Sequence, residues 1–246
     1  MSAPRLFVAE LGGELAAGRE LALPAAAAHH AAKVLRLRVG DLVTLFTGAG
    51  GEFAATIAHI DRRGVTAQVE AFADVEREAT LATTLVQAIA ANDAMEYAIR
   101  KSVELGASAL QPVTTARSAP LPAGPRAAQR RERWRQIAIA ACEQSGRNRL
   151  LDVRATLPLD EWLRMRDGAA VGVVLAPGAA RSLAQMSPPA FLDILIGPEG
   201  GLTADEVAGT ARAGLIPVHL GPRVLRTETA GPAALAAAHA LWGDFR

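Results

Sequence analysis

Ile194-Leu195-Ile196-Gly197-Pro198-Glu199-Gly200-Gly201-Leu202 drives an unbroken apolar run straight into a turn of glycine, proline and a carboxylate. The next residues, Thr203-Ala204-Asp205-Glu206, have the spacing of a capping box, so a helix starts directly after the turn. Strand, glycine-rich turn and helix in that order form the repeating unit of a parallel sheet covered by helices. The alternation continues outward. Leu81 to Ile89, Leu110 to Val113, Val171 to Leu175, Leu192 to Ile196 and Ile216 to Leu220 read as strands with helical segments between them. The predicted class is α/β with a mostly parallel sheet.

The helices between these strands have readable ends. Asn92 or Asp93 is placed to cap a helix whose Met95, Ile99 and Val103 share one face and which Gly106 stops. Pro120 to Arg126 reads as a loop leading into a long helix from Ala127 to Ser145. Ahead of residue 72 the pattern is different. Leu6-Phe7-Val8, Leu42 to Phe46, Ala54 to Ile57 and Val65 to Val69 are short strand-like runs separated by Gly- and Asp-rich turns, with one short helix around His29 to Leu35. This predicts a small β barrel or sheet over residues 1–72 and an α/β domain over residues 73–246, the chain passing between them near Phe72 to Ala79.

Half of the 246 residues are hydrophobic, enough to bury a substantial core. The formal net charge of +1 provides no global field toward polyanions, so any nucleic-acid affinity must come from local patches of Lys and Arg. Cys142 is the only cysteine, which excludes an intrachain disulfide and multi-cysteine metal sites. Met1 to Phe7 lacks the apolar core of a signal peptide, and no run approaches the ~18 apolar residues of a spanning helix, so a cytoplasmic protein without membrane contact is expected. No spacing of His, Asp and Glu suggests a metal.

Two loops carry the chemistry. Gly197 to Leu202 follows a strand, and in open parallel sheets ligands sit at the carboxyl ends of strands, where glycine admits close approach to the backbone. It carries neither the Gly-x-Gly-x-x-Gly fingerprint nor a Gly-Lys-Ser/Thr phosphate loop; a plain strand-to-helix turn is the bland alternative. The second loop is Leu220-Gly221-Pro222-Arg223-Val224-Leu225-Arg226-Thr227-Glu228-Thr229-Ala230-Gly231-Pro232. Capping accounts for part of it: a threonine as N-cap, Glu228 at the positive helix end, Pro232 in the first turn. Capping does not account for Arg226, a cation on the unfavourable side of the helix dipole.

Gly-Pro-Glu-Gly-Gly-Leu followed by Leu-Gly-x-x-x-Leu-Arg-x-Glu-Thr-Ala resembles the SPOUT class of RNA methyltransferases. Further segments resemble one family within it, the RsmE family: Met95-Glu96, Lys101 to Gly106, Gln111-Pro112-Val113, Ala116-Arg117-Ser118, Glu143 to Arg147, Arg5-Leu6-Phe7 and His29 to Asp41. Asn92, where the family pattern has a basic residue, and Leu150-Leu151, where it has a proline, are departures. The resemblance spans essentially the whole chain.

That resemblance implies a PUA-like β-barrel ahead of a SPOUT domain whose carboxy-terminal end forms a trefoil knot, working as a homodimer in which Ala233 to Trp242 packs. It implies S-adenosylmethionine-dependent methylation of N3 of one uridine in small-subunit (16S) ribosomal RNA. The cofactor is expected in three loops, held by Leu175, Ala176, Pro177, Gly197, Pro198, Glu199, Gly200, Gly201, Leu220, Gly221, Val224, Leu225, Arg226, Thr229 and Ala230. Uracil N3 is a weak acid, so the reaction needs a base or a cation for the developing anion. Arg226 is the candidate cation; Glu199 and Glu228 are candidate proton acceptors or loop organisers.

The candidate RNA contacts are Arg5, His29, His30, Lys33, Arg36, Arg38, Lys101, Arg117, Gln144 and Arg147. A second basic run, Arg126 to Arg135, is either a phosphate contact or a solvated helix face. An aromatic content of 4% argues against a binder built on stacked bases. Trp134 and Trp162 read as core anchors, and His219 and His239 as structural histidines. The alternatives are a methyltransferase of the same fold acting on a ribose 2′-hydroxyl or another base, and a non-catalytic ribosome-assembly factor.

Overall fold

The computed structural model describes residues 3–11, 13–118 and 124–245. Within the expected loop Pro120 to Arg126, Pro120 to Ala123 lie outside the described residues. The chain forms two compact units, Met1–Glu78 with Ile139–Leu150, and Ala79–Ala138 with Leu151–Arg246. The segment from Ile139 to Leu150 packs with the amino-terminal unit although it lies far along the chain.

The first unit contains a five-stranded sheet of β1 (Arg5–Phe7), β2 (Glu20–Ala22), β3 (Leu42–Phe46), β4 (Glu52–Asp61) and β5 (Gly64–Ala73), in the order β1-β3-β4-β5-β2. Only β1 and β3 run parallel. In β3, β4 and β5 alternate residues turn inward, and Val43, Leu45, Ala55, Ile57, Val65, Ala67 and Val69 meet Leu6 and Leu21 in one core. The strand β2 was not visible in the sequence, because a three-residue strand with one buried side chain, Leu21, has no period to read. The short helix begins earlier than expected: α1 covers Ala25–His29 and continues as a wider turn over His30–Val34. The run of alanines after Pro24 explains the early start, since alanine is the strongest helix former.

The second unit is built on β6 (Ala82–Ala88), β7 (Ala109–Thr114), β8 (Asp152–Val153), β9 (Leu157–Pro158), β10 (Val171–Leu175), β11 (Phe191–Ile196) and β12 (Ile216–Val218). The strand order is β12-β10-β11-β6-β7-β8, with β9 also paired to β7, and every pairing is parallel. β11 is central and its last five residues are buried, as its apolar run predicts. The helices are α2 (Asn92–Glu104), α3 (Pro125–Ser145), α4 (Leu159–Met165), α5 (Ala204–Arg212) and α6 (Thr227–Trp242). Pro125 takes the first helical position of α3, where its missing N–H costs nothing. Trp162 packs with Val86, Leu159 and Leu195 in a core beneath the sheet, and Trp134 is likewise buried.

Three local expectations are corrected. The Thr203–Glu206 capping box opens α5 in both directions as expected, but neither Asn92 nor Asp93 caps α2. The N-cap there is Ala91, and its N–H donates to a carboxylate from a distant loop, Glu199 Oε1, at 3.1 Å. At α6 the N-cap position belongs to Arg226, not to a threonine, because Thr227 is committed elsewhere. Pro232 accordingly lies inside the helix, beyond the first turn, where it withholds the N–H that the Glu228 carbonyl would otherwise receive. Among the described residues, no helix is long and apolar enough to cross a membrane.

Candidate active site

The carboxyl ends of β10, β11 and β12 are side by side, and the loops that leave them enclose a cavity of about 630 Å³. Leu175-Ala176-Pro177 comes from the first loop, Gly197 to Glu199 with Gly201 and Leu202 from the second, and Leu220 to Ala230 supplies most of the third wall. Of the expected cofactor residues, all line the cavity except Gly200 and Thr229. Gly200 is turned toward Arg117, whose Nη1 donates to the Gly200 carbonyl at 2.8 Å. Val207, Thr210 and Ala211 of α5 and Leu215 also line the cavity. The sequence did not flag them because they look like any amphipathic helix facing a core.

Each loop is braced. Gly201 N–H donates to the Pro198 carbonyl at 2.8 Å and closes a tight turn with Gly201 at φ +68°, a conformation that suits glycine. Thr227 Oγ1 donates to the Gly197 carbonyl at 2.7 Å and accepts from Gln87 Nε2 at 2.9 Å, so one hydroxyl ties α6, β6 and the second loop together. His219 Nδ1 accepts from Gly221 N at 3.0 Å, a structural role as expected. Glu199, expected as a proton acceptor or an organiser, accepts the Ala91 N–H, an organising contact.

A second cavity of about 540 Å³ opens beside the first and shares Glu199, Arg226 and Glu228 with it. Ala91, Asp93, Ala94 and Tyr97 of the α2 end and Thr229 complete its lining. Arg226 is exposed at the positive end of α6, where the helix dipole disfavours a cation, so its charge is not there to stabilise the helix. Among the described residues, the side chains of Arg226, Glu228 and Asp93 make no hydrogen bond or ion pair. A largely apolar cavity joined to a smaller one through a cation and carboxylates can hold a bulky cofactor on one side and present a reactive edge on the other.

The RNA candidates divide sharply. His29, Lys33, Arg36, Arg38, Gln144 and Arg117 are exposed. Arg5 is not: its Nη1 pairs with Glu52 at 2.6 Å, and its guanidinium also bonds Asn148 and lies over the Phe46 ring. Arg147 is 4% exposed and grips Glu78 with two nitrogens. Both arginines are spent on holding the amino-terminal unit together, because their carboxylate partners come from distant sequence. Lys101 pairs with Glu104 at 2.6 Å. His30 lies 4.0 Å from Glu143, whose carboxyl is pushed up from its ordinary value by burial although it accepts the Phe7 N–H. In the second basic run, Arg131 donates to the Val153 carbonyl and Arg133 pairs with Glu96, which leaves it less cation for RNA. Among the described residues, no cluster of His, Cys, Asp and Glu has the makings of a metal site.

An RNA methyltransferase domain family matches residues 77–239, and an RNA methyltransferase PUA domain family matches residues 23–70. The chain is 34% identical over 225 residues to ribosomal RNA small subunit methyltransferase E of Synechocystis, covering 89% of this chain and 72% of that protein. The chain belongs to the ribosomal RNA small subunit methyltransferase E family. The crystal structure of the Neisseria gonorrhoeae member, bound to S-adenosyl methionine, superposes with a TM-score of 0.92 at 36% identity over the full length of both chains. A Legionella pneumophila protein with bound SAM gives 0.95 at 34% identity, again over both full lengths. For a family member, the arrangement of cation and carboxylates between two cavities is the natural place to seek the methyl-transfer chemistry.

Proposed function

We propose that this protein methylates N3 of a uridine in small-subunit ribosomal RNA, using S-adenosylmethionine held in the larger cavity. The observation that carries this reading is the convergence of three strand-end loops on one cavity that opens beside Arg226 and Glu228. The cavity fits such a cofactor. Its volume of about 630 Å³ is within the range of small-molecule sites, its walls include Val174, Leu202, Val207 and Leu215, and Gly201 and Gly221 hold positive φ without a side chain in the way. When bound, the cofactor supplies a methyl group activated on a sulfonium. Arg226 stabilises the negative charge that develops on the uracil, and Glu228 accepts the N3 proton. Glu199 holds the loop by capping α2.

The same reading assigns residues 1–72 to an RNA-binding PUA-like barrel, in which Lys33, Arg36 and Arg38 contact phosphate, and residues 73–246 to the methyltransferase domain with a carboxy-terminal trefoil knot. It places the enzyme in the cytoplasm as a metal-independent homodimer. The exposed Leu241 and Phe245 at the end of α6 support a partner surface there.

Calorimetric titration with S-adenosylmethionine tests the site, with Gly201→Val as the variant, since a β-branched residue at φ +68° deforms the turn. Saturable binding that this variant loses is the expected result. Methylation of small-subunit rRNA followed by nucleoside mass analysis tests the reaction: N3-methyluridine is expected, a 2′-O-methylated product selects the ribose alternative, and a dimer that neither binds nor methylates selects the assembly factor.

A further inference from the structure

We propose that the second cavity seats the extruded target nucleotide, with Tyr97 stacking on its base and Asp93 accepting a hydrogen bond from its ribose 2′-hydroxyl. The proposal rests on the methyltransferase reading and adds the substrate's place and the residues that recognise it.

The two cavities meet at Arg226, Glu199 and Glu228, so a base lying in the smaller one presents an edge at the mouth of the larger one. A base paired in a helix cannot do this. It must be turned out of the stack into a pocket that offers a flat apolar face and polar groups for its edge. Tyr97 is the only tyrosine of the chain, it is 41% exposed, and it lines this cavity. Among the described residues it is the one aromatic ring in the lining.

Counting donors then assigns Asp93. A uracil attached at N1 offers a single N–H donor, N3–H, flanked by two carbonyl acceptors. Arg226 suits a carbonyl, and Glu228, at the junction, suits N3–H. Glu199 is already engaged by the Ala91 N–H. Asp93 lines the second cavity and not the first, and makes no hydrogen bond or ion pair among the described residues. Asp93 is exposed, so a nucleotide that fills the cavity displaces water from its carboxylate and must supply a donor in return, and the base has none left. Within an RNA strand the 3′-oxygen is esterified, so the ribose 2′-hydroxyl is the remaining donor of the nucleotide, and it is the group that tells RNA from DNA. Asp93 is in the first turn of α2, where its charge also complements the helix dipole, a role that leaves its carboxylate oxygens open to a donor from a ligand.

The test compares uridine 3′,5′-bisphosphate, whose 3′-oxygen is esterified as in a strand, with its 2′-deoxy counterpart by saturation-transfer NMR titration on the full protein saturated with S-adenosylhomocysteine. The phosphates and base are common to both probes, so their contributions cancel in the ratio. Wild type is expected to prefer the ribonucleotide by about ten- to hundredfold, the range for a hydrogen bond to a charged group. Asp93→Ala is expected to bind both equally. Tyr97→Ala is expected to weaken both together, roughly five- to hundredfold, leaving their ratio intact. A wild type that binds neither nucleotide, or shows no ribose preference, or a preference that survives Asp93→Ala, overturns the proposal. S-adenosylmethionine titrated into the same samples separates the two readings: normal binding with a failed nucleotide result removes only this proposal, whereas no cofactor binding removes the methyltransferase reading beneath it.

Discussion

Three arginines of the amino-terminal unit and Arg226, at the mouth of the larger cavity, have opposite fates. Arg5 and Arg77 both pair with Glu52, the Asn148 amide joins the same carboxylate, and Arg147 is buried against Glu78. In the carboxy-terminal unit Arg226 is exposed at the mouth of a cavity, at the wrong end of a helix, and among the described residues no carboxylate pairs with it. The difference separates charge that holds a fold from charge kept available for a ligand. Sequence context does not separate them, since Arg5, Arg147 and Arg226 each lie in a segment resembling the same family.

Breaking the two kinds of arginine should give opposite signatures, and this is the largest effect expected. Arg147→Ala leaves Glu78 partly buried without its cation and should cost about 3–5 kcal/mol of stability, read as a large drop in Tm. Arg226→Ala should leave Tm within the roughly 0.5 kcal/mol typical of surface changes, while kcat for rRNA methylation falls about 10²- to 10³-fold. If Arg226→Ala unfolded the protein, or Arg147→Ala left Tm unchanged, the division would fail.

A smaller effect is expected from the shared carboxylate. The Arg77 guanidinium, then Arg5 and the Asn148 amide, pull the Glu52 carboxyl from 4.5 to about 2, against burial that pushes it the other way. A carboxyl lowered in the fold stabilises it above the unfolded value and loses that contribution as pH falls through the folded one. Wild type should therefore exceed Glu52→Gln by roughly 1.5–3 kcal/mol at pH 7, as for a charged hydrogen bond, and the gap should close as the pH drops from about 4.5 toward 2. Urea midpoints across that range measure it; a gap independent of pH would mean that packing, not charge, is lost.

What could be read from the sequence follows the range of the interaction. The β11 strand, its glycine turn and the Thr203–Glu206 box are local features, and all three were legible. So were the parallel sheet and about half of the residues that line the larger cavity, those at the strand ends and glycines, which announce themselves. The cap of α2 was misread because its acceptor, Glu199, arrives from 108 positions away. Arg147 looked available for RNA because Glu78 lies 69 positions earlier, with nothing in the sequence to pair them. The α5 side of the cavity was missed since Val207 and Ala211 have no chemistry to notice. Long-range partners decide whether a polar residue is occupied, and a single sequence does not display them.

Arg36 sharpens the comparison from the other side, with the smallest effect. It is the one non-glycine residue at positive φ, +55°, among the described residues, and it is exposed between Lys33 and Arg38. An L-residue in that conformation costs roughly 1–2 kcal/mol, which glycine would not pay, although glycine returns some entropy to the unfolded chain. Arg36→Gly should thus raise stability by roughly 0.5–1 kcal/mol. If the strain is tolerated because the guanidinium meets a phosphate, the same variant should weaken rRNA binding and flatten the salt dependence of its Kd by about one unit of slope. A protein made more stable and less able to bind RNA by one substitution would place Arg36 with Arg226, as charge held available at a cost to the fold. A gain in stability with RNA binding and salt slope unchanged would leave the basic stretch as a solvated surface and move the search for phosphate contacts to Arg117 and Gln144.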